Sequence, residues 1–299
     1  MKENFDLNHK YIVIDNDSLY EALYEAMIAR DLPSMADIDS SLYLFFKYVK
    51  KDVTCALSGE YSDEIFCGYP WFYREDTVNA NTFPWSISLD LREGLLNKKL
   101  KEKINLKEYI EKEYKEALAD VPLEETTNDK DILMKKYSYL SMFYFGLNLL
   151  TRTDRMSMAH SLEVRVPFTD IDLVEYVYNI PWEIKNYGGH EKGILREAFK
   201  DVLPEEVLYR KKSPYPKTFN EKYSKLVEDT LRKIVENKDC RIKEILDIEF
   251  IKKEILDKTN DEFTRPWFGQ LMLRPQLMAY IIQIEMWLRE YNIEIQIEK

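Results

Sequence analysis

The chain has 299 residues, a net charge of −11 and 45% hydrophobic side chains, enough to bury a real core as one large or two modest domains. The acidic balance argues against nucleic acid, which needs a basic face, and against an anionic membrane surface. The longest apolar run, Tyr139 to Leu150, is broken by Ser141, Gly146 and Asn148; it is too short and too polar to span a bilayer, and with no charged-then-apolar leader the chain is expected to be cytoplasmic. Cys55, Cys67 and Cys240, like His9, His160 and His190, are scattered, so reduced thiols are expected and neither a zinc site nor a Ser-His-Asp triad has support.

In chain order, Tyr11-Ile12-Val13-Ile14 reads as a short strand ended by Asp15-Asn16-Asp17. Ser18 and Glu21 have capping-box spacing, and Leu19, Ala22, Leu23, Ala26 and Met27 trace one helical face. A second helix follows Pro33, with Asp39 or Ser40 at its cap and Leu42, Phe45, Phe46 and Val49 inward. Val53-Thr54-Cys55-Ala56-Leu57 then reads as a buried strand ending at Ser58. This order predicts an α/β fold with a parallel sheet over residues 1–75. Residues 76–299 read as mainly helical. From Asp131, the residues Leu133, Tyr137, Leu140, Phe143, Tyr144, Leu147 and Leu150 keep helical spacing, which predicts core packing. Pro275 opens a last helix carrying Ile281, Ile284, Trp287, Leu288 and Tyr291. Two strands are too few for a stable nucleotide-binding sheet, so further strands are expected from outside these residues.

The densest chemistry follows the second predicted strand. Ser58-Gly59-Glu60-Tyr61-Ser62-Asp63-Glu64-Ile65-Phe66-Cys67-Gly68-Tyr69 holds three carboxylates, with Ser62 placed to cap a helix and Asp63 and Glu64 on its first turn. Acids that only cap a helix account for Asp63 and Glu64, but not for Glu60 behind a flexible glycine. The stretch resembles the Ser-Gly-Glu-x-Ser-Asp-Glu-x-Phe-Gly-Gly-Tyr signature of the synthetase domain of glutamine-hydrolysing asparagine synthetases. It departs at Tyr61, where a small residue is commoner, and at Cys67, usually glycine; both changes crowd the loop after the acids.

A second run, Arg152-Thr153-Asp154-Arg155-Met156-Ser157-Met158-Ala159 followed by Ser161-Leu162-Glu163-Val164-Arg165-Val166-Pro167-Phe168-Thr169-Asp170, is similar to that family's second signature. Internal pairing, Glu163 with Arg165 or Arg155, explains most of its charges. The resemblance gives Arg152 a place facing the aspartyl-adenylate. A third, Tyr209-Arg210-Lys211-Lys212-Ser213-Pro214, is a solvated basic loop on composition alone; by resemblance its Lys212 contacts the departing pyrophosphate.

The resemblance implies an incomplete adenine-nucleotide α-hydrolase-like (PP-loop ATPase) sheet. It implies ATP-dependent adenylation of the aspartate side chain and displacement of AMP by ammonia. Ser58 and Gly59 would contact the nucleotide, Glu60 would take a proton from ammonia, and Asp63 would help hold Mg²⁺. Arg152 and Lys212 would neutralise phosphate charge, and Glu64 and Tyr69 would line the site. The family's Ser-Gly-Gly-x-Asp-Ser loop is absent from the sequence, and Lys2 stands where the family's glutaminase has its nucleophilic cysteine. Turnover by these residues alone is therefore expected to be impaired. A degenerate assembly module and a synthetase acting on another carboxylate are the alternatives. The expected partners are small molecules, with either a homodimer or an amino-terminal glutaminase part completing the assembly.

Overall fold

A computed structural model describes residues 5–78, 81–123, 126, 128–212, 220–264, 266–269 and 272–296. Helix α1 (Asn16–Arg30) buries Leu19, Ala22, Leu23, Ala26 and Met27, the face its spacing predicts. Its cap is Asp15, whose Oδ1 accepts from Ser18 N at 2.9 Å. Ser18 therefore lies inside the helix and forms no cap. The expected strand at Tyr11–Ile14 does not form. Tyr11 and Val13 are 81% and 89% exposed, because among the described residues no neighbouring strand offers the ladder that β-branched residues need. Helix α2 (Asp37–Val49) begins two residues before Asp39, behind Ala36 at φ 50°.

Strand β1 (Cys55–Leu57) is shorter than expected and is not buried, Leu57 being 75% exposed. Its partner is β2 (Glu163–Arg165), within the second signature run. The two pair in parallel, Cys55 with Glu163, Ala56 with Val164 and Leu57 with Arg165. Period-two alternation puts Ala56 and Val164 on the face packed against Phe46, Met156 and Leu162. The opposite face is bare, whereas parallel strands normally bury both. The pair is thus a small parallel sheet in a mostly helical α/β molecule, compatible with an incomplete α/β domain.

Between the strands, helix α3 (Ser62–Ile65) follows β1, and α4 (Asp129–Leu140) runs into α5 (Leu147–Met158). A π-helical segment, Ser141–Gly146, joins the last two. This wider turn resets the helical register. Leu140 and Phe145 are buried while Phe143, Tyr144 and Leu147 are at least 40% exposed, contrary to the unbroken 3.6-residue spacing. The reset turns Gly146 toward α3: a Cβ there would lie 2.6 Å from the Tyr61 ring and 3.0 Å from Glu64 Cγ. Gly146→Ala is accordingly expected to cost about 1–3 kcal/mol by overpacking, read as a lower denaturant midpoint with unchanged slope.

Further on lie α6 (Ile171–Tyr178), α7 (Gly193–Ala198), α8 (Glu221–Glu236) and α9 (Arg274–Glu290), the last with proline in its first turn as expected. The largest core joins the two ends of the chain: Leu19 and Leu23 of α1 pack with Tyr223, Val227 and Leu231 of α8 and Leu277, Ile281 and Ile282 of α9. An aromatic core, with Tyr69, Trp71, Trp85 and Phe145, lies under the acidic loop. Among the described residues no helix is long and apolar enough to cross a membrane.

Candidate active site

The acidic loop leaves β1 through Ser58, whose N–H donates to Arg165 O at 2.8 Å and extends the strand pairing. Ser58 Oγ accepts from Glu60 N at 3.3 Å, and a Cβ on Gly59 would meet nothing within 4 Å. Helix α3 is a single turn, capped by Tyr61 at φ 71° with no side-chain hydrogen bond, so Ser62 is not the cap. One turn carries little dipole; tertiary contacts hold the acids instead. Tyr61 donates its hydroxyl to Met142 O at 2.9 Å, and Cys67, at φ 57°, sets its thiol 3.2 Å from Ser138 Oγ. The two departures from the family signature thus pin the loop to α4 and the π-helical turn.

Two ionic groups result. In the first, Glu60 accepts from Arg152 Nη2 at 3.2 Å and from Thr153 Oγ1 at 2.6 Å. The Arg152 side chain is 7% exposed and Glu60 26%, and Arg152 Nη1 rests on Met35 Sδ at 3.6 Å. In the second, Asp63 lies 3.1 Å from both Lys192 Nζ and Lys212 Nζ. Gly68 makes room for this carboxylate: a Cβ there would sit 1.9 Å from Asp63 Oδ1. Lys212 Nζ also stands 3.7 Å over the Tyr69 ring, a cation–π contact, and burial lowers its pKa against the pull of Asp63.

Tyr69 joins the groups to a buried acid. Its hydroxyl donates to Glu64 Oε1 at 2.5 Å and its ring stacks on Trp71 at 4.1 Å. Glu64 is 1% exposed; burial pushes its carboxyl up to about 7, against the lowering by Tyr69. Burial and the adjacent carboxylate hold the Tyr69 phenol well above its ordinary range. Beside Asp63, Lys192 and Lys212 opens a cavity of about 730 Å³, walled by Phe168, Leu195, Phe199 and Leu208.

All eight residues singled out in the sequence thus fall on one loop or against it. Lys192 and Thr153 were missed. Lys192 lies between Gly189 and Gly193, at φ 56°, and a Cβ on Gly193 would come within 2.4 Å of Tyr187 backbone atoms; that glycine-flanked lysine was the available signal. The predicted Glu163–Arg165 pair forms at 2.7 Å, and Arg155 pairs with Asp31 at 2.9 Å. Ser213 and Pro214, the last residues of the basic run that carries Lys212, lie outside the described residues.

The fit of these groups to Mg²⁺ can be tested on Asp63. Its Oδ1 is buried without a hydrogen bond, but two ammonium groups already supply positive charge beside it. Among the described residues no group of three His, Cys, Asp or Glu side chains is placed to hold a metal ion. A hard cation needs several oxygens, so these side chains do not by themselves fit Mg²⁺. Two convergent lysines suit an oxyanion better.

A loop of acids at the carboxyl end of a parallel strand, faced by Lys192 and Lys212 from two later segments, marks the candidate site of this α/β molecule. The profile of the asparagine synthase family matches residues 1–289. The chain is 47% identical over 295 residues to "Asparagine synthetase [glutamine-hydrolyzing] 3" of Bacillus subtilis, covering 99% of this chain and 48% of that protein. It is 29% identical over 254 residues to "Asparagine synthetase [glutamine-hydrolyzing] 1" of the same organism, covering 74% and 40%. To the Gallus gallus asparagine synthetase it is 25% identical over 214 residues, covering 69% and 29%. The chain belongs to the asparagine synthase family and spans about half or less of the length of these relatives.

Proposed function

We propose that this chain carries the acidic and lysine half of a synthetase site that activates the aspartate side-chain carboxylate with ATP and amidates it with ammonia. The observation that supports the reading most is the convergence of Lys192 and Lys212 on Asp63, beside the Glu60–Arg152 pair. In the first step a carboxylate oxygen of aspartate attacks the α-phosphorus and pyrophosphate leaves. Lys192 and Lys212, both held in place by Asp63, meet the charge on the phosphate oxygens. In the second step ammonia attacks the acyl carbon and AMP departs, while Glu60 takes the surplus proton. Arg152 and Thr153 hold Glu60 as the carboxylate that this step needs. Ser58 and Gly59 are the proposed nucleotide contacts, and the site is proposed to work in the cytoplasm.

The phosphate-binding Ser-Gly-Gly-x-Asp-Ser loop is not in this sequence, so the reading predicts binding without robust turnover. Calorimetry of the chain with ATP and Mg²⁺ is expected to show micromolar binding that is lost in both Asp63→Asn and Lys212→Ala. Binding unchanged in both variants would overturn the assignment, whereas steady asparagine production by the chain alone that disappears in Glu60→Gln would overturn only the expected lack of turnover. A second reading, an amide-forming synthetase for another carboxylate, draws support from the apolar walls of the cavity beside Asp63. Carboxylate-dependent pyrophosphate release, screened over aspartate and larger apolar acids, separates the two.

A further inference from the structure

Behind the acidic loop lies a second cavity, of about 360 Å³, sharing no lining residue with the one at Asp63. Cys67 and Ser138, both buried, form part of its wall. Lys185, at the end of the one-turn helix Trp182–Lys185, lines it although the residue is only 4% exposed. Its ammonium donates to Tyr178 O at 3.4 Å, and among the described residues it has no carboxylate partner. A second ammonium, Lys135 Nζ, approaches the same tyrosine: the Tyr178 ring centroid lies 5.4 Å from Lys135 Nζ and 5.8 Å from Lys185 Nζ. The acid of the cavity, Asp131, is half-buried and its Oδ1 accepts from Trp182 N at 2.8 Å.

A buried ammonium with no carboxylate in direct contact is unfavourable by several kcal/mol, and the more distant Asp131 offsets this only in part. Burial accordingly lowers the Lys185 pKa. Two lysines against one aspartate leave the cavity one positive charge, which matches a monoanion better than a phosphate dianion. Its volume holds a few heavy atoms, up to an amino acid.

We propose that this cavity binds a small carboxylate, its anionic group placed between Lys185 Nζ and Lys135 Nζ. The position gives such a ligand a route to the active loop. Cys67 in its wall precedes Gly68, which lies against Asp63, and the Cys67 carbonyl accepts from Tyr73 Oη at 3.1 Å. This inference does not depend on the ATP reading.

The test is calorimetry and thermal denaturation of the whole chain with sodium acetate and with L-aspartate, against sodium chloride and sodium phosphate at matched ionic strength. Acetate and L-aspartate are expected to give saturable heats and a rising midpoint. In Lys185→Met the apparent affinity should fall at least tenfold, while Asp63→Asn should keep the response, separating this cavity from the Asp63 site. Lys135→Gln, on the other lysine of the pair, should weaken it too and serves if Lys185→Met does not fold. The proposal is overturned if acetate acts no differently from chloride, if phosphate binds more tightly than acetate, or if the lysine variants bind as the parent does.

Discussion

Replacing Arg152 by methionine is expected to destabilise the chain by roughly 3 kcal/mol, the lower end of the range for breaking a buried ion pair. Methionine keeps most of the side-chain volume, so the loss reports charge and hydrogen bonding more than a cavity. Glu60 would keep only Thr153 of its two partners at 3.2 and 2.6 Å. Glu60→Gln should be costly in its turn, because it leaves a guanidinium that is 7% exposed facing a neutral amide. The double variant should recover part of both losses, with a coupling above about 1 kcal/mol, as contacting pairs show. Urea denaturation of the four proteins measures this. Single losses below 1 kcal/mol that simply add would mean that the pair does not hold the loop.

The second large effect is a pH dependence centred on Glu64. Its ordinary value is 4.5 and burial moves it to about 7 in the fold. Below 4.5 the carboxyl is protonated in both folded and unfolded chains and costs nothing. As pH rises from 4.5 to 7, the unfolded chain gives up this proton while the folded chain retains it. The folded state then binds more protons, so stability falls across that window and stays low above it. At 1.36 kcal/mol per pH unit the interval amounts to roughly 3 kcal/mol. Glu64→Gln keeps an oxygen to accept the Tyr69 hydroxyl but has nothing to ionise. It should therefore match the parent near pH 4.5 and exceed it by about 3 kcal/mol at pH 8. Parallel stability curves for the two proteins over pH 4.5–8 would show that Glu64 ionises in the fold as it does in water. The pairing with Tyr69, whose ring carries Lys212, makes nucleotide affinity a second readout of the same titration.

Local chemistry sufficed for much of this. The faces of α1 and α9, the proline at the start of α9, the end of β1 at Ser58 and the acidic character of the loop follow from spacing, capping and turn preferences within a few residues. The three acids behind a glycine stand out from solvated charge for the same reason, whereas Arg152 and Lys212 lie in runs that composition alone reads as internal pairing and a solvated loop, and only the resemblance singled them out. Sequence by itself could not show which charge meets which. Glu60 and Arg152 are 92 residues apart in the chain, and Lys192, Lys212 and Asp63 come from three separate segments.

Tertiary structure also decided where local rules failed. Tyr11–Ile14 has the composition of a strand, but a strand exists only where a neighbour completes its hydrogen bonds. Residues 163–165 look like part of a charged loop and become β2 because β1 presents a free edge. Phe143, Tyr144 and Leu147 keep a helical stripe on paper, yet the π-helical turn rotates them outward and sends Gly146 against the acidic loop. Helical period, loop composition and caps are properties of neighbours in sequence, and the chain states them directly. Strand pairing, helical register across a defect and the pairing of buried charges depend on contacts between distant segments, which only the folded molecule establishes.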